Sequence, residues 1–200
     1  MIYILDSSFF IETSRLHLPL DKQPSFWNWL VMLAKAKVIS IPSMVYEELI
    51  AGDDRLAVWM QANKEALVNQ NAAYDQISRV MAEGYGTIDE VALEVLRADP
   101  WVIAHALAVG GTVVTSEKPG KQTAPRNKKI PPVCKVLHVP CCTITSFLWQ
   151  DNVQIFSHIF LGLARSSSPL PEIRPSWEAF AHPRSGCLLW FLVTKNSVHS

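Results

Sequence analysis

Ile2-Tyr-Ile-Leu-Asp6-Ser7-Ser8 is a short run of β-forming apolar residues that stops abruptly at a carboxylate and two hydroxyls. A run this short and this apolar reads as a strand covered on both faces, as in a parallel sheet, with Asp6 at its carboxyl end. Val38-Ile39-Ser40-Ile41, Thr112-Val113-Val114-Thr115 and the residues near Val139 to Thr143 read the same way. Between these strands the apolar residues take helical spacing. Gln23 to Lys37 shows it through Phe26, Trp29, Leu30, Leu33 and Ala34. Pro42 and Ser43 open a further helix that closes at Gly52. Leu56 to about Met81 is expected to form two helices, broken at Gly84-Tyr85-Gly86. Asp89 to Ala98 forms another, and Asp99-Pro100 opens the next, with Asp99 as its N-cap and Gly110-Gly111 at its end. A short helix near Val133 to Leu137 and a last one from about Thr145 complete the pattern. Short apolar strands alternating with longer amphipathic helices predict an α/β fold with a mostly parallel sheet.

The chain has 200 residues, of which 49% are hydrophobic, enough to bury a sizeable core. Eighteen basic and eighteen acidic residues cancel, which argues against disorder and against a wholly electrostatic nucleic-acid binder. Cys134, Cys141, Cys142 and Cys187 include no C-x-x-C pair and no Cys/His zinc spacing, so a reduced, cytoplasmic setting is expected. Asp6 interrupts the first apolar run and no basic residue precedes it, unlike a signal peptide. The apolar run from Cys187 to Val193 is far short of a membrane span, and no membrane association is expected. After about Leu163 the periodicity gives way to Ser166-Ser167-Ser168 and to Pro169, Pro171, Pro175 and Pro183. The expected division is a domain over 1–160 and an irregular extension over 161–200.

In open parallel sheets, ligands bind beyond the carboxyl ends of the strands. Asp6 lies just after the first strand and Glu117 two residues after Thr115 on the third. Glu48 sits on the helix after the second strand, and Asp99 heads the helix that feeds the third. Each has a plain structural alternative: Asp99 as an N-cap, Glu48 on a solvated helix face beside Glu47, Glu117 in a loop. Asp6 is the hardest to explain that way, because a carboxylate ending a buried strand needs a partner. Converging carboxylates repel one another unless a cation neutralises them. Oxygen donors without His or Cys at metal spacing select a hard ion, Mg²⁺ or Mn²⁺. Such an ion can activate water and stabilise charge on a phosphodiester. No phosphate-cradling G-x-x-x-x-G-K-[ST] or G-x-G-x-x-G is present.

Ile4-Leu-Asp6-Ser-Ser-Phe resembles the opening of a PIN (PilT N-terminus) domain. Ile41-Pro-Ser-Met-Val-Tyr-Glu-Glu48-Leu is similar to the second acidic motif of that family, Ala98-Asp99-Pro-Trp-Val-Ile-Ala104 to the third and Val113-Val-Thr115-Ser-Glu117 to the fourth. Gly52-Asp-Asp-Arg-Leu56 and Lys129-Ile-Pro-Pro-Val-Cys134 resemble a bacterial branch of PIN-like proteins. The resemblance covers about Met1 to Val153 and implies a Rossmann-like α/β/α sandwich with a short-stranded central sheet. It also implies a metal-dependent endoribonuclease of the VapC kind, the toxin of a toxin–antitoxin pair. Asp6, Glu48, Asp99 and Glu117 would then be the catalytic, Mg²⁺- or Mn²⁺-binding acids, and Ser8 and Thr115 would orient them. Most PIN domains have Asp where this chain has Glu117, one methylene longer. RNA as substrate, an antitoxin as partner and a homodimer follow from the same resemblance.

Lys118, Lys121, Arg126, Lys128 and Lys129 crowd the loop after Glu117, where they are expected to hold an RNA backbone or to form a solvated loop. Trp27, Trp29, Trp59 and Trp101 fall in helical apolar patterns and read as core rather than as base-stacking groups, with Trp101, two residues from Asp99, the exception to be tested. His105 is six residues past Asp99 on the same helix, off its face, and is given no catalytic role. A dehalogenase-type phosphatase needs an Asp where Ser8 stands, and a receiver domain carries its key Asp after the third strand. A PIN-fold scaffold that binds RNA or protein without cleaving is the alternative that remains.

Overall fold

The structure is a computed structural model describing residues 1–69, 74–86, 89–118 and 128–150. The extension expected over 161–200 lies outside the described residues, as do Lys121 and Arg126. Strand β1 (Tyr3–Leu5) is buried along its whole length. Helix α1 (Ser7–Glu12) follows at once and runs into a π-helical turn, Thr13–His17. The sequence does not announce α1, because Phe9, Phe10 and Ile11 are adjacent rather than three or four apart. Helix α2 (Pro24–Lys35) carries Pro24 at its start, where the missing N–H costs nothing, and buries Trp27, Leu30, Leu33 and Ala34. The Trp27 indole donates to the Leu18 carbonyl at 2.8 Å, so its polar atom is satisfied inside the core.

Strand β2 (Ile39–Ser40) leads to α3 (Ser43–Ile50), α4 (Arg55–Ala62) and α5 (Lys64–Leu67). The two helices expected over Leu56 to Met81 are not what forms. At Val68 the chain is extended and bridges Ile41 in parallel, with Asn69 N–H donating to the Ile41 carbonyl at 3.0 Å. Helix α6 (Tyr74–Arg79) then passes into a π-helical turn, Val80–Tyr85, so the helical path runs through Gly84 and Tyr85 and stops at Gly86. Gly86 takes φ 80°, a left-handed conformation that favours glycine. Helix α7 (Glu90–Leu96) is capped by Asp89, which accepts from Ala92 N–H at 2.6 Å. Helix α8 (Asp99–Val109), strand β3 (Thr112–Thr115), helix α9 (Ile130–Val136), strand β4 (Cys141–Thr143) and helix α10 (Ile144–Gln150) complete the described domain.

The four strands are all parallel, in the order β2-β1-β3-β4, with Tyr3 opposite both Ile39 and Thr112. The step from β1 to β2 and the step from β2 back past β1 to β3 run in opposite directions. Right-handed crossovers therefore place α2 and α8 on opposite faces. The result is the α/β/α sandwich with a short parallel sheet that the PIN-like motifs imply. β1 and β3 flank the point where the chain reverses its direction of winding, the place where such sheets hold ligands.

Ile4, Leu5, Val113 and Val114 are fully buried at the centre of the sheet. Phe147 of α10 meets Tyr3 edge-on at 5.0 Å and Phe9 of α1 at 5.7 Å, tying both helices to one face of β1. Trp27 and Trp59 stack edge-on at 4.8 Å, and Trp29 packs against the same core, as their spacing predicts. Among the described residues no helix is long and apolar enough to cross a membrane.

Gly84 is where the π-helical turn meets α9. A Cβ there would lie 2.6 Å from Cγ1 of Val133 and 3.1 Å from Cδ1 of Leu137, both buried. Val133 is β-branched and has little rotamer freedom to yield. Gly84→Ala is expected to lower stability by about 1–3 kcal/mol, the usual cost of overpacking, read as a lower midpoint in a urea melt. An unchanged midpoint would mean that α9 does not pack this closely.

Candidate acidic site at the strand ends

Asp6 occupies the N-cap position of α1 with extended backbone, yet its carboxylate makes no capping bond there. It is instead drawn to β3. Thr115 Oγ1 donates to Asp6 Oδ2 at 2.9 Å, and Ser8 Oγ donates to the same oxygen. Ser8 Oγ also accepts from Ser116 N–H at 3.1 Å, and Thr115 Oγ1 accepts from Glu117 N–H at 3.1 Å. The two hydroxyls therefore fix the turn after β3 while holding the carboxylate that follows β1. Ser7 Oγ lies 3.4 Å from Asp6 Oδ1 and donates to Glu48 Oε2 at 3.0 Å, which brings α3 to the same place. Asp6 is 2% exposed. Burial pushes its carboxyl above the ordinary range, and the Glu117 charge adds to that rise, while the Ser8 and Thr115 hydroxyls oppose it.

Asp99 is not the N-cap that its position before Pro100 suggests. Ala98 holds that position, its carbonyl accepting from Val102 N–H at 3.0 Å, and Asp99 is the first residue of α8. Its carboxylate is thus left out of the capping pattern. Burial first, and then the charges of Asp6, Glu117 and Glu48 against the pull of Lys129, push the Asp99 carboxyl up to about 8. The charges of Asp6, Glu117 and Glu48 thus all bear on Asp99, and that of Glu117 on Asp6.

They are not drawn into a single cage. Among the described residues no three His, Cys, Asp or Glu side chains stand close enough to hold one ion together. Two of the acids are turned to cations of the protein itself. Glu117 Oε1 accepts from Lys129 Nζ at 2.7 Å, and its Oε2 accepts from Ile130 N–H, at the start of α9, at 2.8 Å. The bond to Glu117 holds the Lys129 ammonium above its ordinary pKa. Glu48 Oε1 lies 3.6 Å from the guanidinium of Arg97, a largely exposed residue held at φ 51° between α7 and α8. The donor set nonetheless suits a hard cation: every group is an oxygen, and Asp6 and Asp99 are both destabilised as charges where they stand.

The basic residues expected on RNA divide. Lys118 is exposed. Lys128 Nζ instead donates to the carbonyls of Gly84 and Tyr85 at 3.0 and 3.1 Å, closing the end of the π-helical turn, and Lys129 holds Glu117. His105 is buried, with Nε2 3.1 Å from Ser40 Oγ.

Three contributors escape sequence reasoning: Ser7, Arg97 and Tyr85. Tyr85 is fully buried, and its hydroxyl has no hydrogen-bond partner among the described residues. Burial raises the phenol well above its ordinary pKa, followed by the charges of Asp99, Cys134, Glu117 and Asp6. A buried hydroxyl left without a partner costs about 1–3 kcal/mol.

The sequence profile of a domain of unknown function, DUF4411, matches residues 3–155. No curated protein sequence matches the chain. Among solved structures, VapBC2 from Rickettsia felis, bound to a DNA fragment from their promoter, is similar at 20% identity and a TM-score of 0.42. The match covers 72% of this chain and 98% of that one. A likeness at that level carries no functional inference of its own.

Proposed function

The chain belongs to the DUF4411 family, and from the carboxylates at its strand ends we propose that it is a metal-dependent endoribonuclease. In this reading it is a cytoplasmic toxin of a toxin–antitoxin pair that hydrolyses RNA phosphodiesters. The observation that carries the reading is the pair of links through Asp6. One runs by Ser7 to the Glu48 carboxylate and the other by Thr115 to the backbone N–H of Glu117, and the charges of Asp6, Glu117 and Glu48 all bear on Asp99. Asp6, Glu48, Asp99 and Glu117 would hold Mg²⁺ or Mn²⁺. Such an ion supplies an activated water and stabilises charge on the phosphodiester. The protein's own groups do the rest. Ser8 and Thr115 keep Asp6 oriented, with both hydrogen bonds on one oxygen. Burial keeps water from screening the Asp6 charge. Lys118, with Lys121, Arg126, Lys128 and Lys129, would take the RNA backbone, the last two exchanging their present acceptors for phosphate oxygens. An antitoxin would block this end of the sheet, and two copies of the chain would pair as a homodimer.

The rival is a scaffold that binds RNA or protein without cleaving. It draws on one observation, the engagement of both Glu117 oxygens by Lys129 and Ile130. Cleavage of a mixed RNA pool by purified protein in Mn²⁺, stopped by EDTA, is the expected result. Saturation with Mn²⁺ at about 100 times its Kd should also stabilise the fold by roughly 2.7 kcal/mol, a Tm rise of about 5–10 °C. A protein that neither cleaves nor gains stability with Mn²⁺ would be the scaffold.

A further inference from the structure

A cavity of about 570 Å³ lies along the outer edge of the sheet, between β2, α5 and the residues that precede β1 and end α8. That is the size range of small-molecule sites. None of Asp6, Glu48, Asp99 and Glu117 is among the described residues that line it. Its walls are Ile2, Ile39, Leu67, Val68 and Val109, and its charged groups are Lys37, Lys64 and Glu65. Neither lysine is in an ion pair among the described residues. Lys37 closes the end of α2 at φ 59°, with its N–H bonded to the Ala34 carbonyl at 3.0 Å and the Val38 N–H to that of Leu33 at 2.9 Å. Glycine suits that left-handed position best, yet the chain keeps a lysine there. The Lys64 ammonium stands 4.8 Å from the centre of the Tyr46 ring, which steadies an otherwise exposed cation. Ser40, also on the lining, supplies a hydroxyl whose Oγ lies 3.1 Å from Nε2 of His105, a buried imidazole. With its proton on Nε2 the neutral ring donates to Ser40 Oγ and leaves the serine hydrogen to the cavity.

We propose that this cavity binds a nucleoside monophosphate: Lys37, Lys64 and the Ser40 hydroxyl take the phosphate, the apolar walls take the base, and Glu65 accepts from the ribose hydroxyls. A phosphate monoester carries close to two negative charges and three acceptor oxygens, which two cations and a hydroxyl match. A carboxylate would leave one of the cations without a counter-charge. The apolar walls need a body as well as a charge, and a flat, rigid base covers them with few rotors to freeze. The site needs no ion and is independent of the metal-binding reading above.

The test is isothermal titration calorimetry of the full chain in EDTA. The probes are the four nucleoside 5′-monophosphates and adenosine 3′-monophosphate, with adenosine and inorganic phosphate beside them. At least one mononucleotide is expected to bind, one per chain, at least about 10-fold more tightly than adenosine or phosphate. The double variant Lys37→Gly, Lys64→Gln should bind it about 10- to 30-fold more weakly. Its Tm should be kept, because glycine suits the backbone at position 37. No binding of any mononucleotide by the parent would overturn the proposal. Inorganic phosphate bound as tightly as the nucleotides would make this an anion site without a place for the base, and adenosine bound as tightly would remove the phosphate contacts; either overturns it. Affinity unchanged in the double variant would put the ligand elsewhere, as at the basic loop after Glu117, and would overturn it too. Since no metal is present and no cleavage is read, failure here leaves the nuclease reading standing.

Discussion

Asp6→Asn is expected to reduce Mn²⁺-dependent RNA cleavage by at least about 100-fold, since loss of a mere outer partner at a metal site already costs about 10- to 100-fold. The substitution preserves shape and keeps an oxygen able to accept from Thr115 and Ser8. What it removes is the negative charge at the junction of β1 and β3. The same change should leave the metal-free protein at least as stable as the parent. Asp6 is almost wholly buried and the Glu117 charge opposes its ionisation, so the neutral amide relieves an unfavourable group. Activity and stability are therefore predicted to move in opposite senses, or activity alone to fall. Cleavage assays and thermal melts on one preparation read both. Cleavage that survives the substitution would detach the nuclease activity from this site. A large loss of Tm would make Asp6 a structural anchor whose charge the fold depends on.

What the sequence reveals of this protein is set by the range of the interactions involved. Strand β3 occupies Thr112–Thr115 as expected, because a short apolar run next to a glycine pair carries its whole signal locally. The α/β class follows from the alternation of such runs with helices. Asp6 and Glu117 could be placed at the strand ends for the same reason. Helix α1 was invisible because its buried residues cluster without helical spacing. The break at Val68 was hidden because its partner, Ile41, is far away in sequence.

The site divides along the same line. Its carboxylates sit in short motifs, but their partners do not. Ser7 reaches Glu48 across 41 positions, and Thr115 reaches Asp6 across 109. Lys129 reads as a cation for RNA because charge in a loop is legible, whereas its bond to Glu117 depends on how the loop returns to α9. Tyr85 reads only as part of a Gly-Tyr-Gly break. Nothing local marks a tyrosine whose hydroxyl is sealed in the core. Pro100 placed the start of α8 to within one residue: the helix begins at Asp99 rather than after it, and Ala98 carries the first helical carbonyl bond.

Below pH 6.5 the protein is expected to lose stability through His105, by about 2 kcal/mol at pH 5 and approaching roughly 3 kcal/mol at pH 4. The imidazole is fully buried in α8, and burial lowers its pKa from 6.5 to about 4. Nε2 lies 3.1 Å from Ser40 Oγ, and Nδ1 has no partner among the described residues, so nothing there supports a second proton. Between pH 6.5 and 4 the unfolded chain binds a proton at this histidine that the folded one refuses. Stability must therefore rise with pH across that window and level off above it. Asp99 and Asp6 act in the opposite sense, because their carboxyl pKa values are raised on folding, and the stability tied to their protonated forms is lost as pH rises. The total pH curve mixes these contributions, so the histidine has to be isolated by difference. His105→Gln retains a polar group for Ser40 and removes the titration. Urea melts of both proteins between pH 4 and 8 should then differ by an amount that grows as pH falls below 6.5 and is constant above it. A difference that stays flat would mean that the folded protein accommodates the imidazolium, with the unpartnered Nδ1 finding an acceptor once it carries a proton.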